Sequence, residues 1–230
     1  MIRNLIPFIL FALFVVVACD SGPERQEADA LKHDIYYEYQ IIAGEDSDVN
    51  VLLQYRKGGQ NGEVFLLDSP VYVKVDNEVL YADSARLAGV YYETQKPLNE
   101  FAGKHSIVIY NGKNIVHSKD FEFSPFFLDT DFSGLVSRGD WVFQFKGVEE
   151  NEKLRLVLID TSFETKDIND EFPILNGQIK IGQEALKNIA NGPVTMEIYR
   201  EKEQRTDNQG RIKGVLSTTY SLKREFELID

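Results

Sequence analysis

The chain has 230 residues, 37 acidic against 25 basic, for a formal charge of −12 at neutral pH. A surface this acidic is repelled by phosphate backbones and anionic headgroups, which excludes nucleic acid as a partner. The single cysteine excludes an intrachain disulfide, so the fold must hold by packing alone.

Met1 to Asn4 carries one charge, Arg3, and leads into an unbroken apolar run from Leu5 to Val17. As a helix, a run of this length reaches only about 20 Å at about 1.5 Å per residue, against a hydrocarbon core of about 30 Å. It has the length of a signal-peptide core, and Pro7 weakens it further as a spanning helix. The next residues, Val16-Val17-Ala18-Cys19, resemble the lipobox of bacterial lipoproteins. That resemblance implies cleavage between Ala18 and Cys19 and a diacylglyceryl group on the Cys19 thiol, often with acylation of the new amine. The protein would then sit in the cell envelope, held to the lipid bilayer through acylated Cys19. Each buried CH₂ contributes about 0.8 kcal/mol, so two or three chains anchor where one does not. An ordinary secretory signal with an incidental cysteine is the alternative. It is disfavoured because the only cysteine stands at the one position the lipid pathway needs.

Residues 1–18 thus read as signal peptide and 19–34 as a lipidated tether. From Asp20 to Asp34 the chain is too polar to bury enough surface to offset ordering entropy. Asp20 resembles an inner-membrane retention signal of some bacteria, and the choice between inner and outer membrane stays open.

After residue 34 the period is two. Val49 to Arg56 alternates apolar and polar positions, Gly58 to Gly62 reads as a loop, and Val71 to Val75 alternates again before a turn at Asp76-Asn77. Ile107 to Tyr110 meets Asn111-Gly112, a hairpin signal, and returns through Ile115 to His117, with Phe121 and Phe123 closing the half. Pro125 and two acids interrupt the alternation between Ser124 and Asp131, the predicted boundary between a first domain (35–124) and a second (132–230). Further strands are predicted at Trp141 to Phe145, Leu154 to Ile159, Gly177 to Ile181 and Val194 to Arg200. One or two helical turns are expected over Gln183 to Ala190, and a last hairpin turns at Asp207 to Gly210. The fold class is all-β: an antiparallel β-sandwich, with two domains behind a signal peptide and tether. Phe101 to Ile109 with its Asn-Gly turn resembles the late strands of immunoglobulin-like domains over roughly residues 35–123. The paired cysteines of antibody domains are absent, so only the general sandwich is implied.

Catalytic constellations are missing. There is no Gly-x-Ser-x-Gly elbow, no Ser-x-x-Lys pair and no phosphate-cradling glycine loop, and Cys19 is consumed by lipid. His105 and His117 would need to meet across a hairpin, with a third ligand, to hold a metal, and His33 lies in the tether. The acidic stretch Asp160 to Glu171 offers Asp160, Asp167, Asp170 and Glu171 as weak calcium ligands, without the EF-hand spacing. A solvated loop is the plainer account, and no metal or cofactor is assigned. Arg138-Gly139-Asp140 reads as a turn ahead of the Trp141 strand. Trp141 reads as core, and the aromatic patches Tyr36, Tyr37, Tyr39, Tyr91 and Tyr92 read as packing more than as binding surface. The sequence therefore predicts a non-catalytic envelope lipoprotein that binds another envelope protein through loops 58–62 and 160–171. Surface capture of a carbohydrate or other ligand, and an enzyme with an unrecognised site, are the alternatives.

Overall fold

The computed structural model describes residues 29–86, 89–132, 134–161, 167–207 and 210–230. Ala18, Cys19, the signal segment and most of the tether lie outside the described residues, as do 162–166 of the acidic stretch and Asn208-Gln209 of the last turn.

A 3-10 turn, Asp29–Lys32, comes first, then β1 (Ile35–Gly44), β2 (Val49–Lys57), β3 (Val71–Val75), β4 (Glu78–Val79), β5 (Ala82–Ala85) and β6 (Gly89–Lys96). A single helical turn, α1 (Leu98–Phe101), leads to β7 (Gly103–Asn111) and β8 (Asn114–Phe123). The remainder comprises β9 (Phe127–Leu128), β10 (Gly134–Ser137), β11 (Trp141–Lys146), β12 (Lys153–Asp160), β13 (Ile168–Pro173) and β14 (Gln178–Ile181). A second 3-10 turn, Gln183–Leu186, precedes the long pair β15 (Gly192–Thr206) and β16 (Ile212–Ile229).

These strands form the expected all-β sandwich. One nine-stranded sheet runs β13-β12-β15-β16-β1-β2-β6-β5, with β10 also on β16. A four-stranded sheet, β4-β3-β7-β8, covers it under the first half of the chain, and a three-stranded sheet, β14-β11-β9, under the second. Alternation decides which side chains enter the core. Ile35, Tyr37, Tyr39 and Ile41 of β1 and Val49, Val51, Leu53 and Tyr55 of β2 are buried, while the residues between them face outward. Across the layers, Phe123 meets Tyr220 edge-on in the first half, and Phe132 and Trp141 meet Phe226 in the second. Trp141 is therefore core, as its alternating strand predicts.

Turn chemistry sets the hairpins. Asp76 takes φ +53° between β3 and β4, a left-handed conformation that Asp tolerates. Between β7 and β8 the two loop residues are Gly112 and Lys113, flanked by the pair Asn111 and Asn114. Gly112 at φ +60° thus holds the first central position, the glycine place of a II′ turn, and Asn111 belongs to the strand.

Among the described residues, two pairings depart from the expected antiparallel pattern. β16 runs parallel to β1 from Ile212↔Ile35 to Ser221↔Gly44, and parallel to β10 from Phe226↔Gly134 to Ile229↔Ser137. Local turns cannot foretell such pairs, because their partners lie far apart in sequence. β16 belongs to both halves, its first part beside β1 and its last beside β10. Between them Glu45 takes the place of a strand: its amide donates to Ser221 O at 3.0 Å and its carboxylate accepts the Lys223 amide at 3.0 Å. Arg224 pairs with the same carboxylate.

The segment 124–131 lies where the two covering sheets meet. Phe126 is fully buried, and Phe127–Leu128 pairs with β11. The acidic stretch is not one loop. Asp160 ends β12 inside the protein and accepts the Ala190 amide at 2.7 Å, and from Ile168 the chain is strand β13, paired along β12.

Candidate functional site

The outer face of the large sheet carries a polar groove where β1, β2, β6 and the β5 hairpin meet. Register brings its side chains into rows: Arg56 and Val64; then Glu38 and Gln54; then Gln40, Leu52 and Glu93. Tyr91, Ala85, Arg86 and Gly89 complete the lining of a cavity of about 720 Å³. That volume falls within the range of ligand-binding clefts.

β2 gains its last edge partner from a chain reversal. β6 pairs with β2 only over Val49 to Leu53, and beyond that residues 63–65 fold back onto it. The Lys57 amide donates to Glu63 O at 2.9 Å, and the Phe65 amide to Tyr55 O at 3.0 Å. The reversal needs glycine. Gly59 has φ +135°, and a Cβ on Gly62 would stand 1.8 Å from Lys57 O. Loop 58–62 is therefore the reversal that brings Val64 beside the groove.

The floor side chains hold one another in place. Gln40 Nε2 donates to Glu38 Oε1 at 3.1 Å, and Arg56 Nη2 lies 3.7 Å from Glu38 Oε2. Arg56 Nη2 also donates to Gln54 Oε1 at 2.7 Å, and Gln54 Nε2 to Val90 O at 3.3 Å. Arg56 Nε is buried without a partner among the described residues. Two acids and two arginines line the groove, so it is charge-balanced on a chain of charge −12.

The residues singled out from sequence fall elsewhere, Tyr91 excepted. Tyr37, Tyr39 and Tyr92 are core. Burial raises the Tyr39, Tyr55 and Tyr92 hydroxyls above the ordinary phenol value, and Tyr92 Oη accepts the Leu67 amide at 2.9 Å. His105 and His117 do not meet: they pair with Phe121 and Ile109 respectively, several residues apart along one hairpin. His105 lies face to face with Phe101, with Nδ1 2.9 Å from Asp76 Oδ2 and Nε2 2.7 Å from Phe101 O, so both ring nitrogens are engaged. His117 packs against Tyr37, and burial lowers its pKa.

Arg138 donates to the carbonyls of Leu186 and, at 2.9 Å, Ile189, while Asp140 Oδ1 accepts the Gln183 amide at 2.8 Å. The Arg-Gly-Asp tripeptide thus clasps the 182–191 segment. Asp170 and Glu171 stand exposed on β13, where Glu171 pairs with Lys153 at 3.2 Å. Asp160 is turned into the protein, so these acids do not converge with Asp167. No group of three metal-ligating side chains occurs among the described residues.

Sequence reading missed Glu38, Gln40, Gln54, Arg56 and Glu93 as a set. Their even spacing marks a solvent face, but nothing local announces that residues 63–65 return to wall it.

No family model and no curated protein matches the chain. Among solved structures, DIP-gamma IG1+IG2 is similar at 10% identity over 83% of this chain and 97% of that one, with a TM-score of 0.23. Surface layer protein SbsC, domains 6-7, is similar at 12% identity, covering 81% and 98%, with a TM-score of 0.28. Titin-A168169 follows at 10%, covering 85% and 99%, with a TM-score of 0.21. The class of this protein rests on its own sheets: an all-β sandwich whose largest sheet leaves one face open and grooved.

Proposed function

We propose that this chain is a lipid-anchored, non-catalytic protein of a bacterial envelope that binds another envelope protein through the margin of its first half. The lipobox Val16 to Cys19 supports the anchor. The carrying observation for the partner is the exposure of two large apolar side chains, Leu66 (50%) and Tyr81 (83%), each next in the chain to a residue that Tyr92 engages. Tyr92 ties this margin together by accepting the Leu67 amide and pairing with Ala82. Loop 58–62 lies on the same segment as Leu66, which supports its expected part in the contact. Exposed apolar groups so placed suit a protein contact.

The test is crosslinking in cells followed by mass spectrometry, comparing the natural chain with Leu66→Ser/Tyr81→Ser and with Cys19→Ser. One envelope protein captured by the natural chain and lost in the double variant is expected. Equal capture by the double variant would overturn the assigned surface. Cys19→Ser protein that still partitions into detergent would overturn the anchor.

A further inference from the structure

We propose that the groove of Arg56, Glu38, Gln40 and Tyr91 is a second binding site, separate from the Leu66–Tyr81 margin, and that its ligand is a neutral oligosaccharide. Backbone pairing argues against a peptide. An extended peptide binds a sheet by adding to a free edge. Here β2 is paired with β1 on one side and with β6 and residues 63–65 on the other, so the floor offers side chains only. Charge argues against an ionic ligand, because Glu38 and Glu93 balance Arg56 and Arg86.

What remains is a floor of planar polar groups on rigid strands: a carboxylate, two amides and a guanidinium. Each side chain is held by its neighbours at 2.7–3.7 Å, so little rotamer freedom is lost on binding. Planar amide, carboxylate and guanidinium groups match the paired donors and acceptors of vicinal hydroxyls. Leu52, Ala85 and the Tyr91 ring interrupt the polar rows and give a sugar's C–H face an apolar seat. In this arrangement Arg56 and Glu38 read hydroxyls at one end of the groove, Gln40 and Glu93 read them across Leu52, and Tyr91 supports the ring.

The test is titration calorimetry of the full chain in a detergent without a sugar headgroup. The probes are hexasaccharides of glucose, mannose and xylose, with hexagalacturonate as the acidic comparison. Saturable binding of at least one neutral hexamer is expected. Arg56→Lys, which keeps the charge and loses the planar fork, and Tyr91→Ala should each weaken it about tenfold or more. Their thermal midpoints should stay near that of the natural chain, which separates lost contacts from lost fold. Tyr81→Ser should leave sugar binding unchanged, so failure of this site and failure of the protein-contact surface are read separately. No heat with any neutral probe at millimolar concentration, binding that survives both groove variants, or preference for hexagalacturonate would overturn the proposal.

Discussion

Arg200 and Glu152 face each other where the two halves join, with Arg200 Nε and Nη2 each donating to one carboxylate oxygen at 2.7 Å. Both side chains are nearly enclosed, at 6% and 10% exposure. The guanidinium also donates to Gly147 O at 2.8 Å and to Ser124 O, and lies over the Phe126 ring. One side chain thus ties the end of β8, the loop after β11 and the middle of β15.

Removing one partner of such a pair leaves the other charged and buried, at a cost of about 3–5 kcal/mol. Arg200→Met is expected to lose stability on that scale in urea denaturation. Arg200→Met with Glu152→Leu should recover much of the loss. A double variant no more stable than Arg200→Met would show that the carbonyl contacts, not the ion pair, carry the effect.

Acidification should weaken the same junction. Burial alone would raise the Glu152 carboxyl, but the Arg200 hydrogen bond, the Glu149 amide and the charges of Arg200 and Lys202 outweigh it and lower its pKa. A carboxyl depressed in the folded state contributes stability above its unfolded value, about 4.3, and loses it as pH falls through the folded value. The stability difference between the natural chain and Glu152→Gln should therefore close as pH drops below about 4. A difference that stays constant to pH 2 would contradict this.

Gly214 permits a close approach of β16 to β1. A Cβ there would lie 2.1 Å from Tyr37 O and 2.6 Å from Tyr37 Cγ. Gly214→Ala should push the parallel strands apart and cost on the order of 1–3 kcal/mol, seen as a lower thermal midpoint. Gly210→Ala, with no atom within 4 Å, is the control expected to change little.

A fragment of residues 35–124 is expected not to fold alone. It lacks the strand that covers ten residues of β1, from Ile35 to Gly44. A poorly dispersed amide spectrum is the expected result. A sharp, dispersed one would show that the first half is self-sufficient.

Much of this fold is legible locally. The alternation of Val49 to Arg56 and of Trp141 to Phe145, and the turns at Asp76 and Gly112, are short-range signals, and the strands form where they point. The parallel partners of β16 are illegible because nothing near Ile212 or Phe226 names a residue more than ninety positions earlier in the chain. β13 is hidden because Asn169, Asp170 and Glu171 suit an exposed edge strand as well as a loop. For the groove, the sequence shows that Glu38, Gln40, Gln54 and Arg56 face outward. It does not show what stands around them, since the walls come from Val64, Ala85 and Tyr91 on separate returns of the chain.

The position of β16 has a consequence for how the protein is made. Among the described residues, the strand made latest is the one that belongs in the middle of the largest sheet, between β15 and β1. β1 must wait through the synthesis of all the strands between before its parallel neighbour arrives, and pairing across so long a separation is slow. A product ending before Ile212 presents an open β1 edge and a β15 without its partner, both templates for aggregation. Completion of β16 thus acts as a checkpoint: a copy truncated before it leaves β1, β10 and β15 all without their shared partner.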